Sequence, residues 1–214
     1  MKIGVICEGH TDRAVIRNIL KGLKGIDSSQ IVALRPDNSL DETDLSLMTA
    51  DNFSNWSLVK AECENQDKID RFLSIEGHDF VIIHIDADCS DEYGVPKLVK
   101  NTDYAERMRS AIVDKINEWL SNSFKDQILY AVAIEETEAW ILTIYDKKDS
   151  VQSADPKQKL KHKLSKMGIR YDQTHAGFYE ISEKFSKSKY FKKDKFRSYN
   201  KSLDAFCQEV EEKL

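Results

Sequence analysis

Two stretches decide the fold: Ile3-Gly4-Val5-Ile6-Cys7-Glu8-Gly9-His10-Thr11-Asp12 and Phe80-Val81-Ile82-Ile83-His84-Ile85-Asp86-Ala87-Asp88. Each is a short apolar run, rich in Val and Ile, that ends in acids about 75 residues from its counterpart. Such runs form the buried strands of a parallel sheet. In open α/β sheets, ligands and catalytic groups gather beyond the carboxyl ends of these strands. Four carboxylates delivered there, Glu8, Asp12, Asp86 and Asp88, repel one another unless a cation neutralises them. Hard oxygen donors in that number suit Mg²⁺ or Mn²⁺.

Working outward, strand and helix patterns alternate. Apolar residues at helical spacing predict a helix over 12–24, with Thr11 or Asp12 as its cap. A short strand is expected at 31–34, and an irregular acidic loop at 37–56 anchored by Phe53 and Trp56. A helix over 58–75 precedes the second decisive strand, and a helix over 102–122 follows it. A fourth strand is expected at 128–134, then a helix starting at Glu135. The alternation predicts a parallel sheet flanked by helices. Beyond residue 150 only helices are expected: 157–167 after the Asp155-Pro156 start signal, about 174–187, and 202–214. The reading is therefore an α/β domain over 1–150 and a helical, basic extension over 151–214.

Composition narrows the class. With 41% hydrophobic and 32% charged residues, the chain can bury a core beneath a charged surface, and 3 Pro with 8 Gly argue against a turn-rich all-β fold. No apolar stretch approaches the roughly 18–20 residues of a membrane span. No signal peptide is apparent, and Cys7, Cys63, Cys89 and Cys207 form no CxxC pair, so four reduced thiols in a cytoplasmic protein are expected. The net charge of −5 conceals a division: residues 1–156 carry 17 basic against 29 acidic residues, whereas 157–201 carry 14 against 4. That asymmetry points to a polyanionic partner for the basic part.

The paired acidic strand ends resemble the Toprim domain of topoisomerases, primases and OLD-family nucleases, over roughly residues 1–145. In that family a Glu ends the first strand before a glycine-containing turn, matched by Glu8-Gly9, and an Asp-x-Asp ends a later strand, matched by Asp86-Ala87-Asp88. Asp12 matches an acid that the nuclease branch carries one helical turn after the Glu. Glu136 and Glu138 are similar to the downstream Glu-x-Glu that helps OLD-like nucleases hold a second metal. Glu136-Thr137-Glu138-Ala139-Trp140 also resembles a stretch of small stand-alone Toprim proteins found beside mobile elements. The resemblance further implies a catalytic lysine late in the chain, with Lys187, Lys189, Lys193 and Lys195 as candidates. It also implies a setting in defence against phage or plasmids, with a separate ATPase as partner.

Other readings compete residue by residue. Asp-x-Asp also serves haloacid-dehalogenase phosphatases and nucleotide-sugar glycosyltransferases, but these leave the Glu8 cluster unexplained. Acids at 135–138 equally suit the dipole of a helix N-terminus. His84 shares the Asp86 face of its strand and reads as a core histidine, and His10 as a solvated turn residue. Lysines interleaved with Tyr190, Phe191, Phe196 and Tyr199 suit phosphate neutralisation and base stacking, or only a solvated surface. No nucleotide-binding glycine loop is present. The expected activity is Mg²⁺- or Mn²⁺-dependent phosphodiester hydrolysis of DNA or RNA, with two ions held by Glu8, Asp12, Asp86, Asp88, Glu136 and Glu138. Glu8, with like charges around it, suits protonation of a leaving 3′-oxygen. A primase-like nucleotidyl transferase and a non-catalytic nucleic-acid- or partner-binding module are the alternatives.

Overall fold

The computed structural model describes residues 1–36, 55–151, 153–193 and 196–214. Four strands, β1 (Ile3–Ile6), β2 (Ile31–Arg35), β3 (Phe80–Asp86) and β4 (Ile128–Ala133), form one sheet in the order β2-β1-β3-β4. Every pairing is parallel. All residues of β1 and β4 are buried, as continuous apolar runs covered on both faces must be. The order places β2 on one side of β1 and β3 on the other. The crevice beyond the carboxyl ends of β1 and β3 is thus the switch point at which open α/β sheets hold ligands.

Helices cover both faces. One layer contains α1 (His10–Lys24), and the other contains α2 (Asn55–Asn65), α3 (Asp67–Asp70) and α4 (Tyr104–Trp119). The helix expected over 58–75 is interrupted: Gln66 adopts a left-handed φ of 61°, and the chain continues through α3 into a wider π turn at Arg71–Ile75. Of the loop expected at 37–56, residues 37–54, with Phe53, lie outside the described residues. Trp56 falls within α2, where its indole N–H donates to Glu92.

After β4 come α5 (Thr137–Tyr145), α6 (Pro156–Lys166), α7 (His175–Ile181), α8 (Ser188–Lys193) and α9 (Lys201–Lys213). The helix expected over 174–187 stops at Ile181 and resumes as a tight turn over Glu183–Ser186. These helices share a core with the sheet: Leu160, Phe178, Phe185, Phe196, Phe206 and Val210 are buried with Ile16, Ile19 and Leu129. Gly22 of α1 lets the Phe185 turn approach, since a β-carbon there would lie 1.8 Å from the Phe185 carbonyl oxygen. Along the outer edge of β4, α9 closes the exposed backbone. Glu209 accepts the Tyr130 N–H at 3.3 Å and the Lys213 ammonium donates to the Ile128 carbonyl at 2.6 Å. Fully buried Trp140 is stacked on Phe206 with centroids 5.7 Å apart, and its N–H donates to Ser202 at 2.8 Å. Among the described residues, no helix is long and apolar enough to cross a membrane.

Candidate acidic site

The chain leaves β1 at Cys7-Glu8 and enters α1 through Gly9, which is the N-cap. Neither Thr11 nor Asp12 caps the helix as expected; Asp12 occupies the third helical position, where its carboxylate accepts the Gly9 N–H at 2.9 Å. That bond turns Asp12 back toward the end of β1. Arg35, from the end of β2, donates to the carbonyls of Cys7 and Glu8 at 2.6 and 3.0 Å and fixes the backbone that carries Glu8.

The ends of β3 and β4 are laced together. The Ala87 N–H donates to the carbonyls of Ala133 and Glu135, and the Asp88 N–H also reaches Glu135, at 2.9–3.0 Å. Accepting both places Glu135 in the left-handed region at φ 68°, so α5 begins at Thr137 with Glu136 as N-cap, later than expected. The Glu135 carboxylate is engaged elsewhere, by Lys100 at 2.5 Å and the Tyr104 hydroxyl at 3.1 Å.

Glu8, Asp12, Asp86, Glu136 and Glu138 line one cavity of about 330 Å³, together with Thr11, Lys157 and Gln173. Each carboxylate accepts a hydrogen bond from a protein donor. Glu8 accepts the Asp86 N–H at 2.7 Å, and Asp86 accepts the Thr137 N–H and hydroxyl, both at 3.1 Å. Glu138 accepts the Tyr171 hydroxyl at 2.9 Å, and Glu136 accepts the Lys157 N–H at 3.3 Å. Buried His84 lies 2.8 Å from the Thr137 hydroxyl; because that hydroxyl donates to Asp86, the imidazole N–H donates to it. Burial lowers the His84 pKa to about 3, so the ring is a neutral prop for Thr137, in line with the core reading.

Asp88 stands apart. The expectation that an extended Asp-Ala-Asp points both acids to one side fails because the strand ends at Asp86 and the chain turns. Asp88 is exposed on that turn, accepting the Cys89 N–H at 2.8 Å. Its charge still reaches the cavity, where it helps to raise Glu8.

Electrostatically the cavity is under tension. Burial, followed by the Asp12 and Asp88 charges, raises the Glu8 pKa to about 8. Burial raises Asp12 to about 6, and burial with the Glu138 charge raises Glu136 to about 7. Asp86 is also raised, first by burial and then by Asp12, Glu8 and Glu138. Lys157 opposes the trend at Asp12, Glu136 and Glu138. Among the described residues, no three acid, histidine or cysteine side chains are placed closely enough to enclose one metal ion. The donor set nevertheless consists of carboxylate oxygens whose crowding a hard divalent cation would relieve.

No family model matches the chain, and no curated protein or solved structure matches it either.

The basic segment differs from its expectation. Phe196 is buried, and Tyr190 and Phe191 pack on Phe185 and Phe196, so these rings form core and are not a platform for bases. Lys187 pairs with Glu183 at 3.0 Å and Lys189 lies 5.1 Å over the Tyr190 ring; neither lines the acidic cavity. Lys195 lies outside the described residues, as does the side chain of Lys193. Among the described residues, the lysine that lines the cavity is Lys157, one residue past Pro156. Nothing in its local sequence separates it from its neighbours, because its place is set by the docking of α6 on α5. Tyr171 and Gln173, which follow α6, are set in the same way, whereas Thr137 is set by its bonds to His84 and Asp86 at the end of β3.

Proposed function

We propose that the chain is a Mg²⁺- or Mn²⁺-dependent nuclease on a Toprim-like scaffold, hydrolysing phosphodiester bonds of DNA or RNA. One observation carries this reading: five carboxyl groups from β1, α1, β3 and α5 converge on one cavity at the sheet's switch point, each oriented by a donor. Asp12, Asp86, Glu136 and Glu138 would hold the ions, with Asp88 at the rim. Bound there, divalent ions supply an activated water and charge stabilisation at the scissile phosphate.

The chain's own groups divide the remaining tasks. Glu8, raised to about 8 in the metal-free chain by burial and by the Asp12 and Asp88 charges, is the group placed to protonate the leaving 3′-oxygen. Thr137, held by His84, aims Asp86. Lys157 brings a cation to the mouth of an otherwise acidic cavity, where it would meet a substrate phosphate. A cytoplasmic setting, a role in defence and a separate ATPase partner belong to the same proposal and rest on composition and on the family resemblance.

That no three of the described acid, histidine or cysteine side chains are grouped to hold one ion favours a second reading, a nucleic-acid-binding module without catalysis. Assays on plasmid, single-stranded DNA and RNA with Mg²⁺, Mn²⁺ or EDTA separate the two. Cleavage that needs the ions and disappears in Asp86→Asn supports the nuclease. Binding without cleavage under every condition supports the module.

A further inference from the structure

Two more cavities adjoin the acidic one through shared lining residues. The second, about 580 Å³, shares Lys157 and Gln173 with it, and the third, about 390 Å³, shares Lys161, Ser165 and Tyr171 with the second. Lys157, Lys161 and Ser165 recur every four residues on α6 and so stand in a row on one helix face. Successive members rise about 6 Å along the axis, close to the separation of neighbouring phosphates on an extended strand. Arg170 closes the far end.

Among the described residues, no carboxylate lines either of these two cavities. The acid nearest in the chain, Asp172, meets Arg170 at 3.5 Å, and that guanidinium stays 87% exposed. Lys157 and Lys161 are exposed as well. Tyr171 is half-buried, its ring 5.8 Å from that of Phe178, but unlike Tyr190 and Phe191 it also lines both cavities, while its hydroxyl donates to Glu138 in the acidic one. Cations and a ring therefore line a pair of cavities that border the set of carboxylates.

The geometry points to this trough as the track of a single nucleic-acid strand, its phosphates on Lys157, Lys161 and Arg170 and a base against Tyr171, delivering one phosphate to the acidic cavity. The inference rests on the nuclease reading for its direction, but the binding it requires stands separately. Cations neutralise phosphates and a ring accepts any base face, so recognition here is of backbone and single-strandedness, not of sequence.

The test measures binding to the full chain in EDTA, where cleavage is suppressed, using fluorescent single-stranded oligonucleotides and the matching duplex across a salt series. Lys161→Ala with Arg170→Ala should weaken single-strand binding roughly tenfold and reduce the salt slope by about 0.7 for each phosphate that is no longer neutralised. Lys189→Ala, in the same basic segment but outside the trough, should change neither quantity. Equal losses from Lys189→Ala, no loss from the trough pair, or tighter binding of the duplex would each overturn the inference. A wild type that binds as described but never cleaves would sink the nuclease reading and leave the strand track standing. A wild type that cleaves while the trough pair binds normally would do the reverse.

Discussion

The carboxylate of Glu8 accepts the backbone N–H of Asp86 at 2.7 Å, joining two residues 78 positions apart. Through this bond the ends of β1 and β3 are registered side by side, and two acids that repel each other are held at the same crevice. The backbone donor favours ionised Glu8, yet burial and the neighbouring charges outweigh it and carry the group up to about 8.

Metal-free protein should therefore lose stability as pH rises. Glu8, Asp12 and Glu136 all have folded-state values above their ordinary ones, so the folded chain binds these protons more tightly than the unfolded chain. Their contribution is complete below about pH 4, where both states are protonated, and is lost progressively up to about pH 8. Melting temperatures in EDTA should fall across that window, and Glu8→Gln should flatten the upper part. If about 1 kcal/mol is recovered at pH 8.5, Glu8→Gln melts about 2–4 °C higher than wild type. A pH profile that is flat, or that rises toward pH 8, would contradict the raised values.

Adding Mn²⁺ should reverse that trend. Ions bind the ionised carboxylates, so stabilisation should grow with pH and with ion concentration according to mass action. Thermal shift measurements at pH 6 and pH 8 give the comparison. An equal shift at both, or none, would remove the divalent-cation assignment.

At Asp86 the choice of substitution separates charge from structure. Asp86→Asn keeps an oxygen for the Thr137 N–H and hydroxyl, so metal-free stability should be unchanged or higher while cleavage is lost. Asp86→Ala removes that acceptor and leaves buried donors unpaired, a cost of about 1–3 kcal/mol that offsets the relief of repulsion. Urea unfolding of the two variants in EDTA should rank Asn above Ala. Full cleavage by either would end the catalytic assignment.

The glutamates that start α5 should act on rate and not on affinity. Glu136→Gln or Glu138→Gln should lower kcat by about 100-fold or more with substrate binding little altered, because what is lost is stabilisation of the transition state. Tyr171→Phe frees the Glu138 oxygen that now accepts its hydroxyl and should change the Mn²⁺ dependence of the rate. Unaltered kinetics in both glutamine variants would reduce these acids to partners of the helix dipole.

Trp140 should prove structural despite its place beside the acids. It is fully buried, stacked on Phe206 and bonded to Ser202. Trp140→Ala should cost about 3–5 kcal/mol of stability, read from urea midpoints. A small loss of stability with complete loss of cleavage would place the ring in the chemistry instead.

Residue order alone accounts for the elements that local chemistry dictates. Continuous Val- and Ile-rich runs have nowhere to lie but inside a covered parallel sheet, so β1, β3 and β4 and the acids at their ends were legible from residue order. What depends on how elements meet emerges only in the folded chain. Asp88 leaves the cavity because the Glu135 carbonyl draws the chain after β3 into a turn. The aromatic residues of 185–196 became core because α1, through Gly22, accepts them at close range. Among the described residues, Lys157 rather than Lys187 or Lys189 reaches the carboxylates because α6 docks on α5. A charged side chain costs little to place anywhere on a solvated surface, so its local sequence carries no record of its neighbours, whereas an apolar run must be buried wherever it occurs.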